Sequence, residues 1–215
     1  MFAVVFEVRP RDGRKDEYLD LAGSLRPLLL TMDGFIEVER FESRHRPGWV
    51  LSLSTWRDEK SVVRWRCQRE HHGTQKRGRF EFFADYRLRV CEVTADSRAP
   101  EAVIQQRFDE TEVGDAKAIA LTEFPPAHDA STAEPDLAGA EGLTAHDVFE
   151  SLYNPGKTLL LTSWTTPERA GGWRPGATPE GLRHRRVRIV RDYGLVDRRE
   201  APQYYPPVRD LGQVL

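Results

Sequence analysis

Phe41-Glu-Ser-Arg-His-Arg-Pro-Gly-Trp-Val-Leu-Ser-Leu-Ser-Thr-Trp56 returns 108 residues later as Phe149-Glu-Ser-Leu-Tyr-Asn-Pro-Gly-Lys-Thr-Leu-Leu-Leu-Thr-Ser-Trp164. Phe-Glu-Ser, Pro-Gly, two leucines and the closing tryptophan keep one register without a gap, which marks a duplicated unit of roughly 100 residues. In each copy two apolar stretches flank a Pro-Gly turn, the pattern of a β-hairpin. Asp, Glu, Ser and Pro collect between Thr94 and Asp115 while apolar periodicity fades, so the boundary between copies falls there. The chain therefore reads as a first domain over 1–95, a second over 115–200 and a tail over 201–215.

Outward from the first hairpin, Phe2, Val4, Phe6 and Val8 alternate with Ala3, Val5 and Glu7, the period of a strand. From Arg14 to Met32, Tyr18, Leu21, Ala22, Leu25, Leu28, Leu29 and Met32 recur at helical spacing, with a bend expected at Pro27. The hairpin strands are expected at 35–42 and 49–56. Asp58 is set to cap a helix through Trp65, a further helical segment runs from about Arg69 to Gly78, and 82–93 closes the unit as a strand. Strand, helix, strand, strand, helix, strand is the ferredoxin-like order, in the α+β class. The second copy keeps its strands, expected at 118–124, 148–153, 158–164 and 186–196, and its helices are degenerate. Residues 125–140 are rich in Pro, Ala and Asp, and 167–179 hold three Pro and three Gly. The run Pro202-Gln-Tyr-Tyr-Pro-Pro is expected to pack across a surface as no regular element.

Across 215 residues, 32 Lys plus Arg against 34 Asp plus Glu leave a net charge of −2, so nothing pulls the chain toward nucleic acid or an anionic membrane. No apolar run approaches the roughly 18–20 residues of a spanning helix, and the alternating start reads as a strand and not as a signal peptide. Cys67 and Cys91 cannot form a disulfide framework, which fits a cytoplasmic protein with reduced thiols. There is no Gly-rich phosphate loop, no nucleophile elbow and no Cys or His cluster at metal-ligand spacing, so no metal is expected. Glu37, Glu39 and Glu42, with Arg40 beside them, read as an exposed sheet edge or hairpin. The alternate arginines of 183–191 read as pairing with acidic neighbours on an antiparallel strand. Cys67 reads as a small buried side chain.

At Phe-Ile-Glu-Val-Glu-Arg-Phe-Glu-Ser (35–43), Leu-Ser-Leu-Ser-Thr-Trp-Arg-Asp-Glu (51–59) and Trp65 followed by Glu70-His71, the chain resembles the antibiotic biosynthesis monooxygenase superfamily, the dimeric α+β barrels. The likeness covers 2–93; for 116–197 it rests on the internal repeat. It implies two ferredoxin-like units closing one barrel inside a single chain, a fused pseudo-dimer, with further association into a homodimer left open. It also implies a pocket between the helices and the outer sheet face, lined here from Val4, Phe6, Met32, Trp56, Trp65, His71, Phe82 and Phe83.

Three readings are in play, the first two implied by the resemblance. One is oxidation of a small aromatic phenol, quinol or anthrone-like substrate by O2 without a cofactor. It needs a base, an anion-holding partner and a dry apolar pocket. His71 or His72 would be the base, only one of the two able to face the pocket. Trp65 would stack on the flat substrate, and Arg40 or Arg64 would hold the anion. The second is haem binding or degradation. In those relatives an axial histidine lies ten residues after the tryptophan matching Trp65, and here that position is Gln75; the first-strand asparagine is missing near Phe6 and Glu7. The third is non-catalytic binding of a small hydrophobic ligand. The first reading is preferred.

Overall fold

The structure, a computed structural model, describes residues 1–99, 103–176 and 178–202. The first unit runs β1 (Phe2–Pro10), α1 (Lys15–Ser24), α2 (Arg26–Leu30), β2 (Phe35–Ser43), β3 (Val50–Trp56), α3 (Glu59–Cys67), α4 (Arg69–Arg77), a π turn (Gly78–Phe82) and β4 (Phe83–Asp96). The second runs β5 (Ala118–Phe124), two 3₁₀ turns (Ala130–Ala133 and Pro135–Leu137), β6 (Leu143–Ser151), β7 (Thr158–Trp164), α5 (Pro167–Gly172) and β8 (Arg183–Gly194). Each unit forms a ferredoxin-like sheet, β4-β1-β3-β2 and β8-β5-β7-β6, and the two join edge to edge into one closed antiparallel barrel. Closure removes every free sheet edge.

The repeated tripeptide itself makes one seam. Phe41 pairs with Ser151, Glu42 with Glu150 and Ser43 with Phe149, so Phe-Glu-Ser lies antiparallel to its own copy about a pseudo-twofold. The opposite seam runs along β4 and β8 from Arg87↔Gly194 to Asp96↔Arg185. Because side chains alternate along each strand, one face of all eight strands fills the interior. Ala3, Val5, Phe41, Leu51, Leu53 and Cys91 of the first unit meet Ile119, Leu121, Phe149, Leu159, Leu161, Val187 and Ile189 of the second. Burial pushes the Cys91 thiol up to about 12.

Above this core lie buried ion pairs that repeat with the pseudo-symmetry. Glu7 pairs with Arg89 and with Arg46, and Arg89 Nη1 donates to Ser163 Oγ of the other unit at 3.2 Å. Correspondingly, Glu123 pairs with Arg185 and with Lys157, and Arg185 Nη1 donates to Thr55 Oγ1 of the first unit at 2.8 Å. Burial alone would raise Glu7, but the charges of Arg89 and Arg46 outweigh it and hold the carboxyl below its ordinary value. With Arg183 on Asp96 and Arg188 on Glu92, three members of the arginine run pair as expected, whereas Arg186 turns to the Gly171 carbonyl instead.

Several elements depart from expectation. The helix over Arg14–Met32 breaks at Leu25 into α1 and α2, with Pro27 in the first turn of α2, where its missing N–H costs nothing. β6 begins at Leu143, five residues before the expected 148, and β8 at Arg183, three before 186. Both extra segments carry polar side chains that ion pairs allow into the wall. The reading of β2 as an edge or hairpin is half right: it forms a hairpin with β3, but it is no free edge, since β6 pairs with it at Phe41–Ser43, Glu39 meets Lys157, and Glu37 meets Arg183 and Arg185. Cys67 is exposed, not buried, because it falls on the solvent side of the last turn of α3. Beyond Pro202, the expected tail packing lies outside the described residues.

Candidate active site

The outer faces of the two sheets differ. In the second unit Ala130, Ala133, Leu137, Ala170 and Trp173 pack directly onto Ala118, Ala120, Leu160 and Trp164, filling the space over the sheet. An open groove of about 450 Å³ beside Arg174, His184 and Arg186 remains at its rim. In the first unit the longer helices stand off from the strands and leave a partly open, two-lobed cavity of about 140 and 180 Å³. Phe6, Ser52, Ser54, Trp65, His71, Gln75 and Phe83 border both lobes. One lobe extends to Tyr18, Val38, Arg40 and Trp56. The other extends to Val4, Tyr86, Leu88 and Val90, with Tyr193 contributed by β8 of the second unit.

Two caps place the central pair. Asp58 accepts from Ser61 N at 2.8 Å and starts α3, which carries Trp65 on its inner side. Gln68 Oε1 accepts from His71 N at 2.8 Å and starts α4. His71 thereby sits in the first turn of α4 with its ring stacked on the Trp65 indole, centroids 4.1 Å apart and planes 15° apart. Its Nδ1 lies 2.8 Å from the Trp65 carbonyl oxygen. A carbonyl only accepts, so Nδ1 carries the proton and Nε2 presents a lone pair. Burial lowers His71 to about 4, against a smaller raising effect of the Trp65 carbonyl, so the imidazole is neutral around pH 7. The Gln75 amide nitrogen lies beside the ring, 3.1 Å from Nδ1 and 3.5 Å from Nε2. Ser54 Oγ accepts from Trp56 Nε1 at 2.9 Å, which leaves its own O–H as a donor.

At the far end of the first lobe, Arg40 is only 8% exposed. Its guanidinium donates to Tyr153 Oη at 2.6 Å and to the Ala22 carbonyl at 3.4 Å. No carboxylate lies within ion-pair distance of it among the described residues, and its Nε has no hydrogen-bond partner there. Arg89, Arg183, Arg185 and Arg188 of the barrel wall each have an acidic partner. Arg40 is a buried cation with neutral neighbours in the first lobe, where Phe6, Leu21, Leu25, Leu29, Val38 and Trp56 form much of the wall; Arg66, Arg79 and Arg198 line the second lobe.

The antibiotic biosynthesis monooxygenase family model matches residues 1–77. Over 96% of the chain and 99% of the relative, the sequence is 45% identical to a protein of Pyricularia oryzae named jasmonate monooxygenase ABM. This chain belongs to the antibiotic biosynthesis monooxygenase family. Among solved structures, an aldoxime dehydratase in complex with butyraldoxime superposes with a TM-score of 0.56 at 10% identity, covering 87% of this chain and 79% of that one, a likeness of fold. An anthrone oxidase-like protein is 13% identical over 94% of this chain and 96% of that one, with a TM-score of 0.37.

As a member of this family the chain was expected to line its pocket from particular side chains, and most of them meet there. Val4, Phe6, Arg40, Trp56, Trp65, His71 and Phe83 border the cavity. Four expected residues do not. His72 follows His71 by about 100° around α4 and is exposed. Arg64 is exposed and turned to Asp33 and Ser61 at 2.8 and 3.0 Å. Met32 packs beside the cavity against the cluster of Phe2, Leu29 and Trp56. Phe82 is buried in the π turn under the guanidinium groups of Arg14 and Arg77. Tyr18, Ser52, Ser54, Gln75 and Tyr193 were missed; Ser52 and Ser54 could have been found, as polar residues alternating on a strand whose outer face is otherwise apolar.

At the position where the resemblance implies an axial histidine, Gln75 offers an amide and no imidazole. Among the described residues, no helix is long and apolar enough to cross a membrane.

Proposed function

We propose that the cavity of the first unit is the active site of a cofactor-independent monooxygenase whose substrate is a small, mostly apolar ring compound bearing a carboxylate and an enolisable ketone, the class to which jasmonate belongs. The observation that carries this reading is the charge of Arg40. A buried cation without an acidic partner is costly until an anion joins it, and the carboxylate of such a substrate would complete the pair while its ring lies against Phe6, Phe83 and Trp65. The full-length likeness to a relative named for jasmonate supports the same class.

The chemistry asked of the protein is modest. His71 Nε2 takes a proton from the carbon beside the ketone, leaving an enolate whose oxygen accepts from Ser54 and Gln75. The carbanion adds O2 to give a hydroperoxide anion, His71 returns the proton, and loss of water leaves a carbonyl. In sum CH2 + O2 gives C=O + H2O: one oxygen atom enters the substrate, and all four electrons come from it. An anthrone runs through the same steps, and a flat phenol or quinol follows them after losing its first proton from oxygen; such substrates are the second reading, favoured by the aromatic wall of Phe6, Trp65 and Phe83.

Oxygen uptake with jasmonate, its methyl ester and a panel of quinols and anthrones separates the readings. Arg40→Gln is expected to raise KM for the free acid about 10–100-fold, the worth of a charge-assisted bond, with kcat and the ester's KM little changed. An unchanged KM for the acid would remove Arg40 from the reading, and turnover of quinols alone would replace it by the second.

A further inference from the structure

His45, Glu134 and His146 lie far apart in sequence, which is why no metal cluster was expected, yet the fold brings them to one point. His45 sits in the turn between β2 and β3, Glu134 between the two 3₁₀ turns of the second unit, and His146 on β6. None of them borders the cavity. His45 Nε2 and His146 Nε2 each lie 3.3 Å from the same Glu134 oxygen, Oε1. The two imidazoles stand edge to face with centroids 6.0 Å apart, and one ligand atom from each of the three residues falls within 4.8 Å of the others. Around a tetrahedral Zn²⁺ with bonds of about 2.0–2.1 Å, neighbouring N and O ligand atoms stand about 3.3 Å apart. Two of the three separations already have that value.

A second observation comes from behind His45. Asp147 is 3% exposed, and its Oδ2 accepts from Ser43 Oγ and Arg46 Nε, both at 2.8 Å. Its other oxygen, Oδ1, is buried with no hydrogen bond among the described residues and lies 3.5 Å from His45 Nδ1. A histidine that ligates a metal through one nitrogen commonly donates the other N–H to a carboxylate, which fixes the tautomer and strengthens the ligand. Asp147 Oδ1 is placed for that role and, without it, is an orphan.

We propose that His45, Glu134 and His146 bind one divalent transition-metal ion, Zn²⁺ foremost, with a fourth position open to water, and that the ion staples the β2–β3 turn of the first unit to the second. Two imidazoles and a carboxylate suit Zn²⁺ over Mg²⁺ or Ca²⁺, which prefer all-oxygen sites.

The test uses the untagged full-length chain, stripped with EDTA and titrated with Zn²⁺ by calorimetry, and with Co²⁺ followed by visible absorption. One equivalent per chain is expected, with an intense tetrahedral Co²⁺ band and a higher melting temperature in the presence of Zn²⁺. His45→Ala and His146→Ala remove exposed side chains, and circular dichroism checks that each variant is folded. Each should weaken Zn²⁺ binding at least tenfold and abolish the rise in melting temperature. Absence of saturable binding to the stripped wild type, or equal binding by both variants, would overturn the proposal.

Discussion

The stack of His71 on Trp65 settles what this imidazole can do. Its Nδ1 proton is held by the Trp65 carbonyl, its face is covered by indole, and Nε2 is the nitrogen left to act as a base. Burial keeps it neutral down to about pH 4, so it is ready to accept a proton at any pH where the protein works. Its basicity is correspondingly weak, and donors on the enolate oxygen must share the task. His71→Ala is expected to lower kcat about 10²–10⁴-fold, the usual worth of a positioned base. In the wild type the acid limb of kcat/KM should lie near pH 4 and not near 6.5, since activity falls only when protonation removes the Nε2 lone pair. A limb near 6.5 would mean that His71 is not the base. The His71-His72 pair and Trp65 were visible in the sequence as candidates. Gln75 was visible only as a missing histidine, because an amide's role depends on which ring nitrogen it faces.

The helices matter through where they begin. Gln68 is the last extended residue before α4, and its side chain satisfies the His71 N–H that the first turn leaves without a partner. Gln68→Ala is expected to destabilise the protein by about 1 kcal/mol, the ordinary cost of losing a cap. It should also lower kcat, although Gln68 borders neither lobe, because the turn that aims His71 loosens. Thermal melts and initial rates together check this; an unchanged kcat would show that the stack alone fixes the ring. Strands were the most legible elements, wherever apolar and polar residues alternate: β5 and β7 fall at their expected residues. The late start expected for β6 has one cause. Asp147 sits in the barrel wall as a member of an ion pair, and a reading that assigns charges to solvent stops the strand short of it. Pairing between distant strands is a property of the closed barrel, and no local pattern carries it.

Across the molecule, the two units exchange their hydrogen bonds at both ends of the barrel. Arg89 reaches Ser163 and Arg185 reaches Thr55, so neither sheet satisfies its own buried charges alone. Removing one member strands its partner: Arg89→Met leaves Glu7 with Arg46 at the rim and is expected to cost about 3–5 kcal/mol in denaturant unfolding. Glu7→Leu combined with Arg89→Met should recover much of that loss, since two apolar side chains replace the pair. The duplication was readable from the Phe-Glu-Ser repeat, and its reason becomes plain in space, where the repeat forms the seam. Fusion also changes the arithmetic of ligand binding. Two identical chains closing such a barrel would own a matched pair of pockets, which could sense each other across the wall. Here, among the described residues, Trp173 and alanines fill the counterpart of the first unit's cavity, and only an open groove remains at the rim of the second sheet. Saturation within one chain therefore has no twin to cooperate with and follows a simple hyperbola.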